Sequence, residues 1–108
     1  MECTEPVATL VEESRAFERA GELAAALRKA RQATELARCS GDLTCLALAL
    51  HCEGYIFFRG GEFAAAQRLA SEALVLAPPE STILTDILLL LGICATETDD
   101  LAGGEGYY

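Results

Sequence analysis

Few residues in this chain have chemistry to offer. There are five cysteines, Cys3, Cys39, Cys45, Cys52 and Cys94, and one histidine, His51. Cys45 and Cys52 are seven positions apart, so on a helix they share a face, within reach of Cys94 on a following helix; a soft metal or a redox pair would need that much. No CxxC spacing and no second histidine completes such a set. His51 directly precedes Cys52, and neighbours on a helix diverge by about 100°, which keeps imidazole and thiol apart. Glu12 with Glu13, and Asp99 with Asp100, are adjacent acids of the kind that cover solvated helix faces and ends. Ser, His and Asp form no recognisable catalytic arrangement. The expectation is a non-enzymatic chain with no metal and no cofactor, its cysteines acting as reduced, core-filling thiols.

Charge and length narrow the partners. Seventeen acidic against eight basic residues give a net charge of −9, the opposite of what neutralises phosphates, so nucleic acid is not an expected partner. The 108 residues, 52% hydrophobic, fit one domain. Met1 to Val7 carries two glutamates and no Lys or Arg, unlike a secretory signal, which favours a cytoplasmic setting. The most apolar run, Ile87 to Ala95, falls far short of the roughly 20 residues that span a bilayer. It reads as a buried helix, with no membrane association.

Helical periodicity recurs along the chain. Val7, Leu10, Val11, Ser14 and Phe17 share one face between Thr4 and Ala20, and Gly21 interrupts. Leu23, Ala26, Leu27, Ala30, Ala33 and Leu36 form the face of a second helix, Glu22 to Cys39. Ser40, Gly41 and Asp42 make the next break and supply an N-cap. A third helix is expected from about Leu43 to Arg59 and a fourth from Glu62 to Leu76, closed by Pro78 and Pro79. Ser81 or Thr82 then caps a fifth that runs to about Thr96. No stretch alternates with period two, so the expected fold is all-α, with about five helices.

Sliding the chain by about 40 residues lays Leu10 to Ala37 over Leu50 to Ala77 with about half the positions identical. The coincidences include Phe17 with Phe57, Gly21-Glu22 with Gly61-Glu62, Ala26 with Ala66, and Ala30 with Ala70. Two helical hairpins repeat. Gly54 and Gly92 fall mid-helix, where glycine costs about 1 kcal/mol relative to alanine, so each is expected to mark a close helix contact. A hairpin cannot cover its own apolar face, and neighbours must stack.

At these residues the chain resembles the tetratricopeptide repeat family. Leu50, Glu53-Gly54, Phe57, Gly61-Glu62-Phe63, Ala66, Ala70, Ala73 and Pro78 stand at the family's spacing in the second unit. Leu10, Glu13-Ser14, Phe17, Gly21-Glu22-Leu23, Ala26, Ala30 and Ala33 do so in the first, with Arg38 in place of the proline. A third unit starts with Leu88, Leu91-Gly92 and Ala95 and fails over Asp99 to Tyr108. The resemblance implies a right-handed α-solenoid of stacked antiparallel hairpins. Its repeat domain would cover 1–98, with units at about 7–42 and 43–80 and a terminal helix at about 81–97, followed by a Gly-rich tail at 99–108.

His51, Tyr55 and Phe58 form a row beside the one made by Leu50, Gly54 and Phe57. Such a row either packs between repeats or faces a ligand. The resemblance implies that the first helix of each unit lines a concave groove, here holding Val11, Arg15, Arg19, His51, Tyr55, Phe58, Arg59, Leu89 and Ile93. One subtype of the family clamps the C-terminal carboxylate of chaperones with Asn and Lys; Arg15, Tyr55 and Ile93 occupy the positions of that Asn. The implied role is an adaptor or scaffold that binds a protein or peptide segment in the groove. The alternative is an oligomerising or regulatory fragment of a larger bacterial signalling ATPase or transcription regulator. Finally, the fifth helix, apolar on more than one face from Ile83 to Cys94, is expected to pair two copies of the chain.

Overall fold

The computed structural model describes residues 5–102, and side chains through 96. Five helices run in order: α1 Glu5–Arg19, α2 Leu23–Ser40, α3 Leu43–Arg59, α4 Phe63–Leu76 and α5 Thr82–Ala102. No strand occurs among the described residues. None of the helices there is long and apolar enough to cross a membrane.

The turns are set by a few residues. Gly21 and Gly61 adopt φ of +82° and +84°, a region closed to most side chains. Each turn is fastened identically, Glu22 N–H donating to the Phe17 carbonyl and Glu62 N–H to that of Phe57, both at 2.9 Å. The 40-residue sequence repeat is therefore a repeat of backbone geometry. Between the hairpins, the Asp42 carboxylate caps α3 by accepting from the amides of Thr44 (3.0 Å) and Cys45 (3.2 Å). Ala77 turns extended ahead of Pro78 and ends α4. The Ser81 hydroxyl, one of the two expected caps of α5, donates instead to the Pro78 carbonyl at 2.8 Å. Helix α5 also continues beyond the expected end near residue 97, to Ala102, because Thr96 to Ala102 contains no breaker before Gly103-Gly104. The remaining tail, 103–108, lies outside the described residues.

Consecutive helices pack antiparallel, and α3 also contacts α1 and α5. The first helices of the units (α1, α3, α5) form one layer and α2 with α4 the other, in a body 48 × 31 × 19 Å. Ala26, Ala30 and Ala33 of α2, and Ala66, Ala70 and Ala73 of α4, are wholly buried, as are Cys45, Ile87 and Cys94. These small faces let helix backbones come close. Ser14 donates to the Ala26 carbonyl at 2.7 Å. At the matching point of the second hairpin, a Cβ on Gly54 would lie 3.2 Å from the Ala66 carbonyl oxygen and 3.4 Å from Leu69. Gly92, the third member of the series, has nothing within 4 Å of its would-be Cβ. The expected close contact exists at Gly54 and is absent at Gly92, where no second helix follows among the described residues.

One expectation about the cysteines is corrected. Cys39, Cys52 and Cys94 are free thiols, but Cys45 is disulfide-bonded. Cys3 lies outside the described residues.

Replacing Gly54 with Leu should destabilise the fold by about 1–3 kcal/mol, since a backbone carbonyl cannot yield to the new side chain. Denaturant unfolding followed by circular dichroism measures this; an unchanged midpoint would mean that α3 and α4 are not in tight contact there.

Candidate functional site

The layer made by α1, α3 and α5 presents an open groove. Arg15, Glu18 and Arg19 come from α1, His51, Tyr55 and Arg59 from α3, and Asp86 from the first turns of α5; together they enclose about 770 Å³. An apolar recess of about 230 Å³ adjoins it, walled by His51, Tyr55, Asp86, Leu89, Leu90 and Ile93. At its floor Ser14, Arg15, Glu18, His51, Cys52, Tyr55 and Ile56 surround a pit of about 30 Å³, room for a single water. Helical periodicity explains the assembly: positions 15 and 19 of α1, 51, 55 and 59 of α3, and 89 and 93 of α5 are each one turn apart on one face.

Seven of the nine side chains expected in the groove are brought together there: Arg15, Arg19, His51, Tyr55, Arg59, Leu89 and Ile93. Val11 is 2% exposed and belongs to the core. Its counterparts show why: His51 is half-buried and Leu89 is 60% exposed, so this position is covered to the extent that further helices stack after it. Phe58 lines none of these cavities. Its ring sits between Tyr55, 6.0 Å away, and Phe63 at the start of α4, 5.7 Å away. The aromatic row thus splits, with Tyr55 facing the groove and Phe58 joining α3 to α4.

Two acids that sequence reasoning did not place in the groove also line it. Glu18 is 7% exposed, and its Oε2 lies 3.1 Å from Nη1 of Arg59, tying α1 to α3. Asp86 stands one turn before Leu89 and Leu90. Asp86 has only that helical spacing as a sequence signal, since isolated acids on helices are ordinarily solvated, whereas Glu18 is one of the glutamates near enough in sequence to pair with the groove arginines. Arg15 and Arg19 have no ion pair among the described residues. The groove therefore carries two uncommitted cations on a chain of net charge −9.

His51 is a partly buried group whose titration its surroundings alter. Its Nδ1 is buried without a hydrogen-bond partner. Burial pushes the imidazole below its ordinary pKa of 6.5; Asp86 opposes this through its charge and its backbone, while the Arg15 guanidinium reinforces it. Burial likewise pushes the Cys52 thiol up, partly offset by a 3.5 Å contact in which its S–H donates to Ser14 Oγ. Burial also raises the Cys94 pKa. Neutral thiols of this kind are poor nucleophiles. Among the described residues no group of three His, Cys, Asp or Glu is placed to hold a metal ion.

A second polar cluster lies behind the groove. The Thr34 hydroxyl donates to Glu53 Oε1 at 2.8 Å, and Arg31 Nε is 3.8 Å from Glu53 Oε2. It joins α2 to α3 and leaves Glu53 9% exposed, which makes it a fastening between hairpins. Compared with family models, with curated proteins and with solved structures, the chain finds no match in any of the three.

Two outcomes follow. A histidine whose folded pKa is depressed contributes stability that is present above its unfolded pKa and lost as pH falls below it. The melting temperature should therefore drop between about pH 7.5 and 5.5, and His51→Gln, which cannot titrate, should flatten that change; an equal drop in both proteins would assign it to other groups. Alkylation at neutral pH should modify Cys39 rapidly and spare Cys52 and Cys94 until the chain unfolds, as peptide mass mapping will show.

Proposed function

We propose that this chain is a non-enzymatic protein–protein interaction module of the tetratricopeptide type. It acts as an adaptor or scaffold, in a cytoplasmic setting, that receives a protein segment in the groove of α1, α3 and α5. The observation that carries this reading is the convergence of Arg15, Arg19, His51, Tyr55, Leu89 and Ile93 on one open groove, with an apolar recess at one side. Aromatic and arginine side chains supply much of the energy at protein interfaces. The matching turns at Gly21-Glu22 and Gly61-Glu62, and the small-residue crossings at Ser14 and Gly54, support the family resemblance.

The groove's chemistry describes the segment. Arg15 and Arg19 favour carboxylates; Tyr55, Leu89, Leu90 and Ile93 favour a bulky apolar side chain beside them. A second reading, an oligomerising or regulatory piece of a larger signalling ATPase or transcription regulator, draws on the apolar residues that α5 leaves exposed, Leu88, Leu89 and Ile93.

Selection from a displayed library of random peptides tests the groove. Sequences combining acidic and bulky apolar residues should be enriched, and Arg15→Ala with Tyr55→Ala should weaken their binding at least about tenfold while leaving helicity and melting temperature nearly unchanged. Arg59 is the wrong residue to remove, because its loss strands the buried Glu18 carboxylate. Failure to select any peptide, or equal binding by the variant, would overturn the reading.

A further inference from the structure

Helix α5 has a second side, away from the groove. In the first two units the crossing position is covered by the second helix of the same hairpin: Ser14 meets Ala26 and Gly54 meets Ala66. Leu50, one turn before Gly54, is accordingly 1% exposed. In the third unit a Cβ on Gly92 would have nothing within 4 Å among the described residues, and Leu88, the counterpart of Leu50, is 51% exposed. A mid-helix glycine weakens its helix, and close approach of another backbone is what offsets that at Gly54. At Gly92 nothing among the described residues does so.

Between Thr82 and Thr96 the one ionisable side chain with charge at neutral pH is Asp86, and it lines the groove. The strip through Leu88, Gly92, Ala95 and Thr96 is uncharged. On a molecule of net charge −9, such a strip is where two copies meet with least repulsion.

We propose that this strip is the contact between two copies of the chain, with their α5 helices crossing antiparallel at Gly92 about a two-fold axis. A two-fold contact requires a self-complementary surface. Centred on Gly92, an antiparallel crossing sets Leu88 of one copy opposite Thr96 of the other, so a large residue meets a smaller one on both sides of the axis. The alanine faces of α2 and α4 are buried within their own hairpins, so they do not compete with α5 for this contact. This surface is separate from the groove and does not depend on it.

Light scattering on the full chain over a few-hundred-fold concentration range tests the proposal. The mass should rise from 11.5 kDa to twice that value. Gly92→Leu and Leu88→Glu should each weaken dimerisation at least tenfold with helicity unchanged, since a Cβ at 92 has nothing within 4 Å among the described residues. Arg15→Ala should leave the dimer intact, which separates this contact from the groove. In a Cys39→Ser background, Gly92→Cys should oxidise to a covalent dimer. A mass of 11.5 kDa at every concentration would overturn the proposal, with the strip then covered by residues 103–108 or by another protein's helix. A dimer that persists in both α5 variants, or a Gly92→Cys chain that does not crosslink, would also overturn it.

Discussion

The closeness of helix backbones at two points governs the rest of the architecture. Where Ser14 meets Ala26 and Gly54 meets Ala66, the second helix of each hairpin lies almost directly on the first. Only then can the alanines of α2 and α4 fill the interior, because side chains this short do not span a wider gap. The same closeness holds the two helices of each hairpin in one arrangement. That in turn sets the first helices side by side and opens their outer faces as a groove.

The groove joins two requirements that pull apart. A receptive surface needs uncommitted charge, yet a helical stack needs its buried charges satisfied. The chain divides these tasks by position: Glu18 and Arg59 neutralise one another across α1 and α3, whereas Arg15 and Arg19 stay open. His51 stands between, held neutral by burial while Asp86 pulls towards protonation.

The helices and their turns were legible because each depends on nearby residues. Gly21, Gly61 and the Pro78-Pro79 pair act within a few positions of themselves, and Asp42 caps the helix it precedes. Most of the groove was legible too, because a helical face is a matter of spacing. What local sequence cannot express is how much chain lies over a position. Val11, His51 and Leu89 occupy equivalent places in three units yet are buried, half-buried and exposed in turn. Phe58 differs from Tyr55 for a similar reason, since the ring of Phe63, brought near by the Gly60-Gly61 turn, claims it. The place of Glu18 and Asp86 in the groove arises from the packing of separate helices. The bonded state of Cys45 likewise depends on chain brought near from elsewhere.

The pattern of helix contacts bears on how the molecule moves. Helix α1 touches α2 and α3, α5 touches α4 and α3, and among the described residues no contact joins α1 to α5. The two rims of the groove are thus the two ends of a chain of neighbours, and each can breathe without waiting for the other. A segment lying across all three first helices would clasp ends that the fold itself leaves unlinked. Its arrival would slow the opening of both at once, so that occupancy of the groove is written into the amide exchange of α1 and α5 more than into that of α3.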